Sequence, residues 1–280
     1  MESELRQLQL KCLEIFDIVE KICKENNIMY SLCGGSVVGA HLYNGILPWD
    51  DDIDLMMTRE NYNRFLKIAE TSLPKGFSLI NYNNSTNPEG LNICFTKIVN
   101  DNTTLVQKSG NVWGVFIDID VYDKVPEGPL KEIDIYLCKR LLTMDIGKLQ
   151  KKGLKNVFRN IALNTLLSDK RKFLKFFQIV VEFLGNISHH YTYRELFGAY
   201  QYYNLLPYKA SIFENYTTIE FEGRTVMIVR DYIDYLQTRY NRTDFQEPKE
   251  KQIPPHLAYV DLNMPYKDYI KVIENKNMST

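Results

Sequence analysis

Four of five consecutive residues are aspartates, Asp50, Asp51, Asp52 and Asp54, in the stretch WDDDIDL, and a Gly34-Gly35-Ser36 turn stands shortly before them. Like charges this close repel one another unless a cation sits among them. Asp52 and Asp54 are two residues apart, so on a strand they share a face while Ile53, Leu55 and Met57 turn toward a core. Two carboxylates so placed grip a hard divalent ion. Mg2+ suits them, with Mn2+ as the alternative, because it takes one or two carboxylates and leaves positions for phosphate oxygens. Glycines at a helix N-terminus let a phosphate approach unpaired backbone N–H groups, so Gly34, Gly35 and Ser36 read as an anion cradle one helix ahead of the acidic strand.

Other chemistries built on D-x-D make demands that can be checked. A calcium-binding EF-hand loop opening at Asp50 needs Gly at its sixth position and Glu at its twelfth, where this chain has Leu55 and Asn61. A phosphatase with an aspartate nucleophile wants Thr or Val four residues on, but Asp52 is followed by Met56 and Asp118 by Tyr122. A glycosyltransferase holding a nucleotide diphosphate through the same pair stays open. A later stretch, WGVFIDIDVYD (113 to 123), alternates so that Phe116, Asp118, Asp120 and Tyr122 share one face. Asp118 or Asp120 can supply a third acid to the site. Lys97 is a candidate charge clamp on a diphosphate.

These residues need elements to hold them. Leu5, Leu8, Cys12, Ile15, Phe16, Val19, Ile22 and Cys23 recur at helical steps and predict an opening amphipathic helix ending near Asn26-Asn27. A short strand (28–32), the glycine turn and a helix to about Tyr43 follow. Next come a strand over 52–57, a helix capped by Thr58, and strands over 77–80, 91–99, 103–106 and 113–123. From Pro129 to about Tyr191 the pattern is helical and basic, with 11 Lys/Arg between Lys139 and Lys175 against Asp145 and Asp169. A hairpin turning at Glu222-Gly223, a helix over 231–240, an irregular tail with Pro248, Pro254 and Pro255, and a short helix over 265–274 close the chain. The expected organisation is a catalytic core (1–128), a basic helical insertion (129–199) and a C-terminal α/β extension (200–280), an α/β fold around a mixed sheet.

At 280 residues, with 45% hydrophobic and 25% charged, the chain can bury about three-quarters of its unfolded surface in a real core. The net charge of −1 gives no argument for a nucleic-acid partner. Five scattered cysteines without C-x-x-C spacing read as buried thiols in a reducing cytoplasm. Acidic Glu2 and Glu4 with no apolar run behind them do not make a signal peptide, and the most apolar stretch (172–187) is too interrupted to span a bilayer.

The order strand, glycine turn, helix, D-x-D strand, helix and later acidic strand is the layout of the nucleotidyltransferase superfamily. Within it, GGSVVGAHLYNGILPWDDDIDL resembles the LicD family, phosphocholine transferases of bacterial surface glycans with kinship to fukutin-related protein. The opening helix, VFIDIDVYD, YIDYLQTRY and PPHLAYVDLNMPYKDY are similar too. The resemblance implies an Mg2+-dependent transfer of a phospho-alcohol from a CDP-activated donor, most simply CDP-choline, to a hydroxyl of a glycan such as a teichoic acid or lipopolysaccharide or its lipid-linked precursor, with CMP released. Asp52, Asp54 and Asp118 are then the metal-binding and catalytic acids, and Gly34, Gly35, Ser36 and Lys97 hold the donor. Choline calls for aromatic faces, and Trp49, Trp113, Phe116 and Tyr122 stand near the acidic strands, with Asp120 available to its charge. The basic insertion suits a membrane surface or an anionic lipid-linked acceptor.

Overall fold

The computed structural model describes residues 3–81, 95–135, 170–195, 207–242, 244–246 and 252–278. The fold is α/β. The chain forms two compact units, one made of Met1–Val121 with Ser211–Thr280 and one of Tyr122–Ala210.

The first unit opens with α1 (Glu4–Glu25), whose Leu8, Cys12, Ile15, Phe16, Val19 and Cys23 bury one helical stripe and whose Ser3 cap accepts a bond from the Arg6 N–H at 3.2 Å. There follow β1 (Ser31–Leu32), α2 (Gly34–Tyr43), β2 (Asp54–Thr58), α3 (Arg59–Ser72), β3 (Phe77–Ile80), β4 (Phe95–Asn100), β5 (Thr104–Gln107), β6 (Val112–Trp113) and β7 (Phe116–Pro126). The main sheet runs β1-β2-β7-β4-β3, so the acidic strand β2 lies directly beside β7.

The stretch expected as one strand over 113–123 is two. A Cβ at Gly114 would come within 2.0 Å of the Asn100 carbonyl oxygen, so only glycine lets the chain pass there, and β6 leaves the main sheet to pair with β5. Thr58 does precede α3, but its side chain makes no capping bond to the helix backbone; Asn61 donates to its hydroxyl instead, at 3.0 Å.

The second unit contains the later half of β7, α4 (Lys170–Ile187), β8 (Tyr191–Glu195) and β9 (Tyr208–Lys209), with β8 paired to β7 and β9. Its interior holds Tyr122, Phe177, Val181, Leu184, Tyr193 and Tyr208, together with a buried ion group in which Arg194 grips Asp134 with bonds of 2.7 and 3.0 Å and lies 3.8 Å from Asp123. Most of the basic run lies outside the described residues.

The first unit then resumes with the hairpin β10 (Tyr216–Phe221) and β11 (Arg224–Val229), α5 (Tyr232–Tyr240), β12 (Leu257–Asp261) and α6 (Tyr266–Met278). The hairpin turns where expected, with Glu222 and Gly223 both at positive φ. Asn241 ends α5 in the left-handed conformation that Asn tolerates better than most residues. The tail is not irregular throughout: β12 pairs with β5 and completes a three-stranded sheet with β6.

Candidate active site

Glu222 fixes the approach to the acidic loop. Its carboxylate accepts the Ile46 N–H at 3.0 Å and the Arg6 guanidinium at 2.6 and 3.2 Å. Burial would raise this carboxyl, but the bonds from Arg6 and Ile46 outweigh it and hold it below its usual range. Gln9 of α1 donates to the carbonyls of Leu47 and Asp50 at 3.2 and 2.9 Å. The loop that carries the aspartates is therefore fastened at its start by α1 and by the hairpin.

Gly34 and Gly35 open α2 beside that loop. Gly34 has φ +52, and the space its missing Cβ leaves is bounded by the Asp54 carboxylate and the Arg239 guanidinium, each 3.5 Å away. A Cβ on Gly35 would come within 2.8 Å of Asp50 Oδ2. Ser36 is buried, and its hydroxyl oxygen accepts the Asp54 N–H at 2.9 Å, which locks the glycine turn to the start of β2. The Cys33 N–H reaches the Asp54 carbonyl at 2.9 Å and the Gly34 N–H reaches the Tyr235 hydroxyl at 3.0 Å. The expected cradle and D-x-D pair thus lie side by side, with α5 as their backing.

Strand β7 brings the third acid. The Asp118 N–H donates to the Ile53 carbonyl at 3.1 Å, which sets Asp118 against the segment between Asp52 and Asp54. Both oxygens of Asp118 accept from the Lys97 ammonium, at 2.8 and 2.9 Å, across the β4–β7 register, and the same ammonium lies 3.3 Å from the centre of the Phe116 ring. Lys97 is 3% exposed: it stands within the sheet, neutralising Asp118 and covering Phe116. Asp120 is 5% exposed, and its carboxylate accepts a bond from the Cys33 thiol at 3.3 Å. Trp49 is half-buried, its ring edge-on to Tyr43 at 5.9 Å. Tyr122 belongs to the second unit, where it is fully buried and donates to Glu195 at 3.0 Å.

The electrostatics are those of a crowded anionic site. Burial, then Asp54, Asp50, Asp51 and Asp118, lift Asp52 well above the ordinary carboxylate range. Burial, then Asp118 and Asp50, push Asp54 up to about 8 against the opposing pull of Arg239 and Lys97. Asp50 rises to about 6 through burial and Asp51, and Asp118 rises because its burial exceeds the help of Lys97 and His256. Acids that raise one another in this way fit a site that takes a divalent cation. Among the described residues, the group whose ligand atoms lie within 4.8 Å of one another and that can hold a metal ion is Asp51, Asp52 and His256.

Sequence reasoning did not single out Asp51, Arg239 or the role of His256. Arg239 lies inside YIDYLQTRY, where no periodicity distinguishes it from a solvated helix cation. Asp51 is 3% exposed, and its Oδ2 accepts the N–H groups of His256, at 3.0 Å, and Leu257. That bond joins residues 205 apart in sequence.

Comparison with known proteins agrees with this architecture. Residues 27–125 match the family model described as LicD/FKTN/FKRP, nucleotidyltransferase domain. The chain is 30% identical over 275 residues to the lipopolysaccharide cholinephosphotransferase LicD of Haemophilus influenzae, an alignment covering 91% of this chain and 98% of that protein. The chain belongs to the LicD family. A second relative of this LicD-family chain, an uncharacterized protein of Rickettsia prowazekii, is 27% identical over 133 residues, 46% of the chain and 47% of that protein. The match to the Haemophilus LicD spans nearly its whole length, so it takes in the hairpin and α5 that support the LicD site as well as its acidic core.

Proposed function

We propose that the chain is a transferase that moves phosphocholine from CDP-choline to a hydroxyl of a cell-surface glycan or its lipid-linked precursor, releasing CMP. The observation that carries this reading is the meeting of the Gly34 turn, the Asp54 carboxylate and the Arg239 guanidinium around one space. It provides a backbone that a phosphate can approach, a carboxylate for a cation and a cation for an anionic donor. The length-spanning similarity to a lipopolysaccharide cholinephosphotransferase supports the choice of phospho-alcohol and acceptor.

In this reading Asp52, Asp54 and Asp118 hold Mg2+ or Mn2+, which when bound neutralises the diphosphate and polarises the transferred phosphorus. Gly34, Gly35 and Arg239 orient the donor. The acceptor oxygen bonds to the distal phosphorus as the bond to the CMP oxygen breaks, and the hydroxyl proton passes to Asp118. Lys97 keeps Asp118 in place from below. Asp120 acts through Cys33, whose thiol also lies 3.2 Å from the Tyr235 hydroxyl that meets the Gly34 N–H, and so steadies the turn. Trp49 is the half-buried aromatic available to the choline. A panel of CDP-alcohols assayed for CMP release tests the whole reading. CDP-choline should be turned over in a divalent-metal-dependent way, and release of UDP from a UDP-sugar instead would overturn it.

Gly35→Val should weaken CDP binding by roughly tenfold or more, about 1.4 kcal/mol, because even its Cβ would crowd Asp50 Oδ2. Titration calorimetry with CDP checks this, and unchanged affinity places the cradle elsewhere.

Peripheral membrane contact belongs to the same reading. The described part of the basic run, α4, opens with Lys170, Arg171 and Lys172 and carries exposed Ile179, Phe183 and Ile187. Among the described residues no helix is long and apolar enough to cross a membrane. Sedimentation with anionic vesicles should occur at low salt and weaken as salt rises; no binding at low salt removes the membrane from the proposal.

A further inference from the structure

Asp51 does more than fasten β12. Its Oδ2 takes the two backbone N–H groups, but Oδ1 is buried with no hydrogen-bond partner. Burying a carboxylate oxygen unsatisfied costs about 1–3 kcal/mol or more, which a purely structural fastening has no reason to incur. Beside it stands His256. The backbone of His256 is fixed on both sides, its N–H by Asp51 and its carbonyl by the Lys108 N–H at 2.8 Å, while the side chain is exposed. The acidic loop, the end of the proline-rich tail and the D-x-D pair therefore converge on one point, where Asp51, Asp52 and His256 each present a ligand atom within 4.8 Å of the others.

We infer that these three residues form a second cation seat, for a divalent transition-metal ion of the Mn2+ or Zn2+ class, beside the oxygen-only seat that the proposed function gives to Asp52, Asp54 and Asp118. The ligand set decides the class. Mg2+ keeps to oxygen donors, whereas an imidazole with two carboxylates suits the borderline ions. Three protein ligands leave a position open, the arrangement of a reactive rather than a structural ion, and the exposed imidazole keeps that position reachable from water. Asp52 belongs to both seats. A shared carboxylate would set two cations on one phosphate, where they stabilise the attacking and leaving oxygens together. The inference stands on these residues and not on the identity of the transferred group.

Co2+ is a suitable probe, because its visible absorption reports ligation directly and needs no turnover. With a large excess of Mg2+ present to fill the oxygen-only seat, the intact chain should still bind one Co2+ and develop a ligand-field band. His256→Gln should weaken that binding by at least roughly tenfold, since even partners one shell out from a metal contribute 10–100-fold. Its melting temperature should not change, because the backbone bonds of His256 survive the substitution. Asp51→Asn should also weaken Co2+ binding, with some loss of stability. Co2+ binding to His256→Gln as tight as to the parent, or complete displacement of Co2+ by Mg2+, would overturn the proposal.

Discussion

Asp54→Asn should lower turnover on the order of a thousandfold and at the same time raise the stability of the metal-free protein. The two effects share one cause. Asp54 is pushed up to about 8 by burial and by Asp118 and Asp50, so its charged form is disfavoured in the folded chain. A carboxyl whose folded pKa lies above its ordinary value costs nothing at pH values below that ordinary value. It costs progressively more as pH rises, until the full penalty is present above the folded pKa. The melting temperature of the parent, measured in a chelator, should therefore fall between about pH 4 and pH 8. Asp54→Asn removes part of that slope and should be more stable at pH 8 by about 1–2 kcal/mol. Adding Mg2+ should stabilise the parent and move the variant much less. A variant that keeps normal turnover, or that melts below the parent at pH 8 in chelator, would refute the assignment of Asp54 to the cation seat.

The second large effect concerns Arg194 in the other unit. Arg194 is 2% exposed, bidentate on Asp134 and close to Asp123, and each of these aspartates is 1% exposed. Taking away one partner of a buried ion group leaves charge without compensation, at a cost of about 3–5 kcal/mol. Arg194→Met preserves much of the volume and should still lose stability on that scale in urea denaturation. Adding Asp134→Asn to the same chain should restore part of it, because one stranded charge is removed. An unchanged denaturation midpoint in Arg194→Met would show that the group contributes nothing net.

What the sequence makes legible here is local. Helix α1 follows from its apolar stripe, α2 from the glycine turn, and the hairpin from Glu222-Gly223, each within a few residues of its own signal. The nearness of Asp54 to Gly34 is also readable, since strand, turn, helix and strand leave few ways to pack. The alternation of β7 sets Asp118 and Asp120 on one face but does not choose between them; what sets Asp118 apart is its contact with Lys97 and Ile53. The rest depends on contacts between distant segments. Gly114 divides a strand only because Asn100 passes behind it. Strand β12 follows two prolines and carries a weak alternation, and becomes a strand because β5 has an edge to offer. The burial of Asp120 and Lys97 depends on what packs over that face of the sheet, which alternation within one strand does not report. Asp51 looks like one more aspartate in a run until the backbone of His256 is placed over it.

The long reach of those bonds bears on how the protein is made. A nascent chain has synthesised all four loop aspartates and both glycines early, with more than half of its length still to come. The groups that hold them arrive much later: Glu222 for Ile46, Tyr235 for Gly34, and last the His256 and Leu257 amides for Asp51, at separations of 176, 201, 205 and 206 residues. Closing contacts that distant is slow and comes late in folding. Until residues 222–257 leave the ribosome the acidic loop is held by Gln9 of α1 alone, so shorter products should hold the cation poorly, and activity should be acquired abruptly once that segment is made rather than in step with chain growth.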